Sequence, residues 1–85
     1  MARYRIEVKK SAVKELSQIP KKDLVKIVKK INSLADNPGP NGSKKLSRED
    51  KYRIRYGNYR ILYLIKDDLL IICVIKVAHR KDIYR

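Results

Sequence analysis

Alternation of apolar and polar residues marks this chain as a set of short strands around a helical middle. From Arg3 to Val8 every second residue is apolar, so a first strand is expected with Tyr4, Ile6 and Val8 on its buried side. Ser11 can cap a short helix running to about Gln18, which Pro20 closes off. Between Lys21 and Ala35 the spacing changes. Leu24, Ile27, Val28, Ile31 and Leu34 follow the i, i+3, i+4, i+7 rule of a helix with one core face, leaving Lys22, Lys26, Lys29, Lys30 and Asn32 mostly outside. That lysine stripe reads first as a solvated face and second as a surface for nucleic acid. Residues 36–43 form the one loop rich in turn residues, and the polar stretch from Lys44 to Lys51 leads on from it.

Period-two alternation returns at Tyr52. Gly57 and Asn58 lie between two alternating runs and give a two-residue hairpin signal, with glycine able to supply positive φ. Strands are expected over Tyr52–Tyr56, Tyr59–Lys66 and Leu69–Val77, with Asp67 and Asp68 as a second tight turn. The fold class is therefore α+β: a small antiparallel sheet, made of the N-terminal strand and a three-strand meander, packed against two N-terminal helices. At 85 residues the chain makes one domain, 1–85, with no internal repeat.

The hairpin register carries the chemistry. Arg53 and Arg55 point one way while Tyr52, Ile54 and Tyr56 point the other, and Arg55 falls opposite Arg60. Like charges facing each other destabilise a strand pair by roughly 0.2–1 kcal/mol. A phosphate, which guanidinium groups bind bidentately, is the natural compensation. The plainer alternative is a solvated basic face without a site.

Charge narrows the partners. Twenty-two Lys and Arg against 9 Asp and Glu give a formal net charge of +13, which points to nucleic acid, an anionic membrane or a very acidic protein. The longest apolar run, Leu69 to Ile75, is far short of the roughly 20 residues of a membrane span, and the start of the chain has no secretory apolar core; a cytoplasmic chain is expected. Cys73, alone in the most apolar strand, reads as a buried, reduced thiol. One His, one Cys and scattered acids make no metal-ligand set, and no glycine-rich phosphate loop is present, so no metal and no cofactor are expected.

The tail adds a second cluster, His79, Arg80 and Tyr84. Cleaving RNA through its own 2′-hydroxyl needs alignment, stabilisation of charge on the phosphorane and proton transfer at two oxygens. Arginines supply the charge, but with pKa values above about 12 they make poor bases. Histidine has a suitable intrinsic pKa, while a tyrosine (Tyr84) or lysine (Lys51) would need a lowered one. Lys44, Lys45, Lys51 and Lys81 are further cations placed to contact RNA.

At these residues the chain resembles a known family. Leu-Ala-Asp-Asn-Pro at 34–38, Lys-Lys-Leu at 44–46, Tyr-Arg-Ile-Arg at 52–55, Gly-Asn-Tyr-Arg-Ile-Leu-Tyr at 57–63 and His-Arg-Lys-Asp-Ile-Tyr at 79–84 together resemble the RelE toxins of the RelE/ParE superfamily, over nearly the whole chain. The resemblance implies a toxin of a type II toxin–antitoxin system: an endoribonuclease that enters the ribosomal A site, cuts the mRNA there and so inhibits translation. It also implies a cognate antitoxin, in a complex of two toxins with two antitoxins. Carried over by position, Arg53, Arg55, Arg60 and Arg80 hold the scissile phosphate, and Tyr84 stacks on a base or moves a proton. Arginine stands at both strand positions where well-studied relatives carry lysine, which leaves His79, Tyr84 and Lys51 as the candidates for the base. Two other readings stay open: a ParE-like poison of DNA gyrase, which shares the architecture and in which the arginines are contacts or plain surface, and a non-catalytic RNA- or ribosome-binding module.

Overall fold

The computed structural model describes residues 3–39, 44–45 and 51–79. In chain order they form β1 (Arg5–Val8), α1 (Lys10–Ser17), α2 (Lys21–Ser33), β2 (Lys44–Lys45), β3 (Lys51–Tyr56), β4 (Tyr59–Lys66), a 3-10 turn (Asp67–Leu69) and β5 (Ile71–His79). The strands make one sheet in the order β1-β5-β4-β3-β2.

The meander β3-β4-β5 is antiparallel, as the turns require. The N-terminal strand departs from expectation: β1 runs parallel to β5, so the sheet is mixed, with Arg5 to Val8 beside Ile71 to Val74. No tight turn links these two strands, and only turn chemistry announces strand direction locally. The two-residue β2 was also not expected; it lies antiparallel to β3, with Lys44 opposite Arg53 and Lys45 opposite Tyr52.

Both helices cover one face of the sheet. Ala12, Ile27, Ile31 and Leu34 bury against Ile54, Ile61, Tyr63, Ile72, Val74 and Val77. Helix α1 begins one residue before the expected cap, with Lys9 at the N-cap and no side-chain cap bond. Strand pairing sets that boundary, because the Lys9 N–H is committed to the Val74 carbonyl at 2.9 Å and the Lys9 carbonyl then accepts from Val13. The core stripe of α2 is narrower than its apolar pattern, since Val28 is 39% exposed.

Two tyrosines fasten the loops. Tyr63, fully buried, stacks on Tyr52 with ring centroids 5.8 Å apart and donates its hydroxyl to the Pro38 carbonyl at 2.8 Å, fixing the chain after α2. Tyr4 donates its hydroxyl to Asp67, and its N–H to the Ala35 carbonyl at 2.9 Å, tying β1 to both the helical hairpin and the β4–β5 turn. The β4–β5 turn takes in Leu69 and Leu70, which were expected to start the strand.

Candidate phosphate-binding face

The site is built by one tight turn and one irregularity. Gly57 has φ +59°, while Asn58 is not among the positive-φ residues, which is the type II′ pattern of a two-residue hairpin. The turn fixes the register: Tyr56 faces Tyr59, Arg55 faces Arg60, Arg53 faces Leu62 and Lys51 faces Leu64. Ile54 and Ile61 sit in the core, so the arginines occupy the face away from the helices. Because β3 begins at Lys51, that residue shares the face with Arg53 and Arg55.

Burial grades the cations. Arg55 is exposed, Arg53 and Lys51 are half-buried, and Arg60 is 4% exposed, the one buried charged side chain among the described residues. Arg60 sits between its cross-strand neighbours Arg55 and Ala78. A guanidinium fork suits two oxygens of one phosphate.

His79 lies elsewhere. It pairs with Tyr59, on the helix side, and meets that ring edge-on with centroids 5.4 Å apart. The cause is a bulge in β5: Leu62 pairs with Lys76 but Tyr63 pairs with Val74, so Ile75 is the extra residue. One inserted residue turns every later side chain to the other face. Val77 and His79 thus join the core side, and Ala78 comes beside Arg60. His79 lines a groove of about 420 Å³ with Glu15, Gln18, Ile19, Tyr59 and Lys76. The structure therefore does not bring His79 to the arginine face. Arg80, Lys81 and Tyr84 lie outside the described residues, and for Lys44 and Lys45 only the register is described.

Sequence reasoning passed over Glu15. Beyond Val8 the edge of β5 has no strand beside it among the described residues, and the Glu15 carboxylate takes its place. It accepts from the Val77 N–H at 3.0 Å and pairs with Lys76 Nζ at 3.0 Å. The signal was a lone acid in a lysine-rich helix. Asp23 acts likewise from α2, accepting from the Tyr59 hydroxyl at 3.4 Å. Burial first, then the Asp23 charge and this hydrogen bond, raise the Tyr59 hydroxyl above the usual tyrosine value. Cys73, expected to be buried, is half-buried opposite Leu64.

The chain is a small two-helix α+β domain with a cationic sheet face, and comparison with known proteins gives its family. The profile described as ParE toxin of type II toxin-antitoxin system, parDE, matches residues 6–84. RelE1 of Methanocaldococcus jannaschii is 31% identical over 98% of this chain and 97% of its own, and toxin RelG of Mycobacterium tuberculosis is 33% identical over 96% and 97%. The toxin of the archaeal RelE-RelB complex from Pyrococcus horikoshii superposes with a TM-score of 0.83 at 29% identity, covering 94% of this chain and 97% of that one. The chain belongs to the RelE family within the RelE/ParE toxins of type II toxin–antitoxin systems.

Proposed function

We propose that this toxin is a ribosome-dependent mRNA endonuclease. The observation that carries the reading is the Arg55–Arg60 pair, directly opposed across β3 and β4 with Arg60 buried, beside Arg53 and Lys51 on the same face. A phosphate seated there offsets the repulsion between the two guanidiniums, and the extra charge of a phosphorane strengthens each contact.

The reaction is a transesterification within the RNA. A base removes the 2′-hydroxyl proton, the 2′-oxygen attacks phosphorus, and the 5′-oxygen of the next nucleotide leaves with a proton from an acid, giving a 2′,3′-cyclic phosphate and a 5′-hydroxyl. Arg53, Arg55 and Arg60, joined by Arg80, carry the charge, so the scheme calls on no cofactor. Lys51 shares their face and is one proton-transfer candidate; Tyr84 is the other and a platform for base stacking. His79, edge-on to Tyr59, is assigned a packing role at the end of β5. Lys44, Lys45 and Lys81 contribute RNA contacts. The ribosome's A site aligns the message, which places the protein in the cytoplasm, and a cognate antitoxin restrains it there.

The test is translation of a defined message on purified ribosomes, with message ends mapped by primer extension. Cuts confined to the A-site codon, absent on naked RNA, are the expected result. The family profile carries the ParE name, so gyrase is the competing target. An intact message, with gyrase-linked DNA breaks in its place, would overturn the nuclease reading.

A further inference from the structure

We propose that Leu62 and Leu64 form a seat for unstacked bases of single-stranded RNA, beside the row of cations that holds its phosphates. The strand register joins these residues into one surface. Across the face turned away from the helices, Arg53 is followed by Leu62 and Lys76, and Lys51 by Leu64, Cys73 and Glu7. Leu62 and Leu64 are half-buried and stand outside the core, which takes Ile61, Tyr63 and Ile65 from the same strand. A strand with one face on the core ordinarily turns polar residues to the other. Strand β3 does so with Lys51, Arg53 and Arg55, whereas β4 turns out two leucines directly alongside them.

Spacing identifies the occupant. Side chains two apart on a strand are separated by roughly 6.6 Å, whereas a stacked nucleic-acid strand advances about 3.4 Å per nucleotide. An RNA that gives one phosphate to each cation of the β3 row is therefore stretched to about twice its stacked rise, and its bases part. A parted base shows its ring faces to water and gains by covering one. The leucine row offers that cover at the same stride as the cation row and one strand away, about 4.8 Å. Charge sets which way the bases turn. Beyond the leucines the Lys76 ammonium is spent on the Glu15 carboxylate at 3.0 Å, and Glu7 on β1 pairs with Arg5 at 2.9 Å. Phosphates accordingly lie over β3, and bases point across β4 toward β5. Leucine side chains read no hydrogen-bond pattern, so the seat takes any unpaired base and does not take a duplex, whose bases are already paired and stacked.

The seat presupposes the RNA substrate of the proposed function but not its cleavage. The probe is a fluorescent, uncleavable 2′-O-methyl single strand of about eight nucleotides. Its binding to the whole chain, read by anisotropy, is compared with that of an abasic strand of equal phosphate count and of a duplex. The base-bearing strand should bind roughly tenfold tighter than the abasic one. Leu62→Thr with Leu64→Thr keeps residues that suit a strand and removes apolar length. This pair should weaken the base-bearing strand about tenfold, leave the abasic strand and the duplex unchanged, and leave the salt slope unaltered, because no phosphate contact is lost. Leu62→Met with Leu64→Met, apolar and of similar size, should retain tight binding. Equal affinity for the base-bearing and abasic strands, or a threonine pair that weakens neither or both alike, would overturn the seat. In either case a salt slope that still depends on Arg53, Arg55 and Arg60 leaves the phosphate face standing, whereas a slope indifferent to those arginines removes the RNA substrate itself.

Discussion

Arg60 stands out because burial and charge oppose each other at it. A cation shielded from water is costly unless its fork meets matched acceptors, and Arg60, at 4% exposure, lies in register between Arg55 on β3 and Ala78 on β5. If it meets the phosphate, Arg60→Ala should lower the cleavage rate by about 10²–10³-fold, the usual effect of losing one donor aimed at developing charge. Arg60→Lys should fall between, since an ammonium keeps the charge and loses the fork. Single-turnover cleavage on programmed ribosomes measures this, with circular dichroism confirming an intact sheet. Tyr59 gives a second test at this scale. Its hydroxyl titrates higher in the folded chain than in the unfolded one, and so does that of Tyr4, chiefly through its hydrogen bond to Asp67. A raised folded value means stabilisation present below the ordinary tyrosine value and lost as pH climbs through the folded one. Urea midpoints should therefore drop as pH rises above about 10, the ordinary tyrosine value, and Tyr59→Phe should make that drop shallower.

Among the elements, those specified by neighbours in sequence were legible and those specified across the fold were not. The helices, the Gly57–Asn58 hairpin and the opposition of Arg55 to Arg60 all follow from spacing within a dozen residues. The parallel pairing of β1 with β5 joins residues more than sixty apart, with nothing local to fix its direction. The bulge at Ile75 had one local signal, Lys76, which unbroken alternation from Ile72 and Val74 would send into the core; the apolar residues around it hide the slip of phase. His79 was read as part of the tail because the strand was expected to end at Val77, whereas β5 runs on to His79 and the bulge sets it beside Tyr59. The β4–β5 turn holds a further consequence. Leu70 is the one non-glycine residue with positive φ among the described residues, at φ 54° and ψ 47°, and it is 40% exposed. Left-handed backbone at such a residue costs on the order of 1 kcal/mol, and asparagine tolerates it better. Leu70→Asn should stabilise the fold by up to about 1 kcal/mol, read as a higher urea midpoint at unchanged m-value. A lower midpoint would mean that the Leu70 side chain contributes more packing than its exposure indicates.

For the whole molecule, net charge governs how tightly anything anionic binds but does not say where. A chain of 85 residues at +13 attracts RNA through every cationic surface, so affinity alone cannot separate the arginine face from the lysines of the helices. Salt dependence can. Each phosphate neutralised on a single strand contributes about 0.7 to the slope of log affinity against log salt, so three arginines that each hold a phosphate contribute about two. A short, uncleavable single-stranded RNA titrated between about 50 and 200 mM salt gives the slope for the unaltered chain. Replacing Arg53, Arg55 and Arg60 together by Gln should make it shallower by about two if each arginine holds its own phosphate. A single shared phosphate, as the directly opposed pair suggests for Arg55 and Arg60, would take the change closer to one. Replacing Lys22, Lys26 and Lys29 on α2 should leave the slope nearly unchanged if those lysines form a plain solvated face. An arginine triple variant with the slope of the unaltered chain would remove the arginine face from RNA binding altogether, and with it the physical basis of the nuclease assignment.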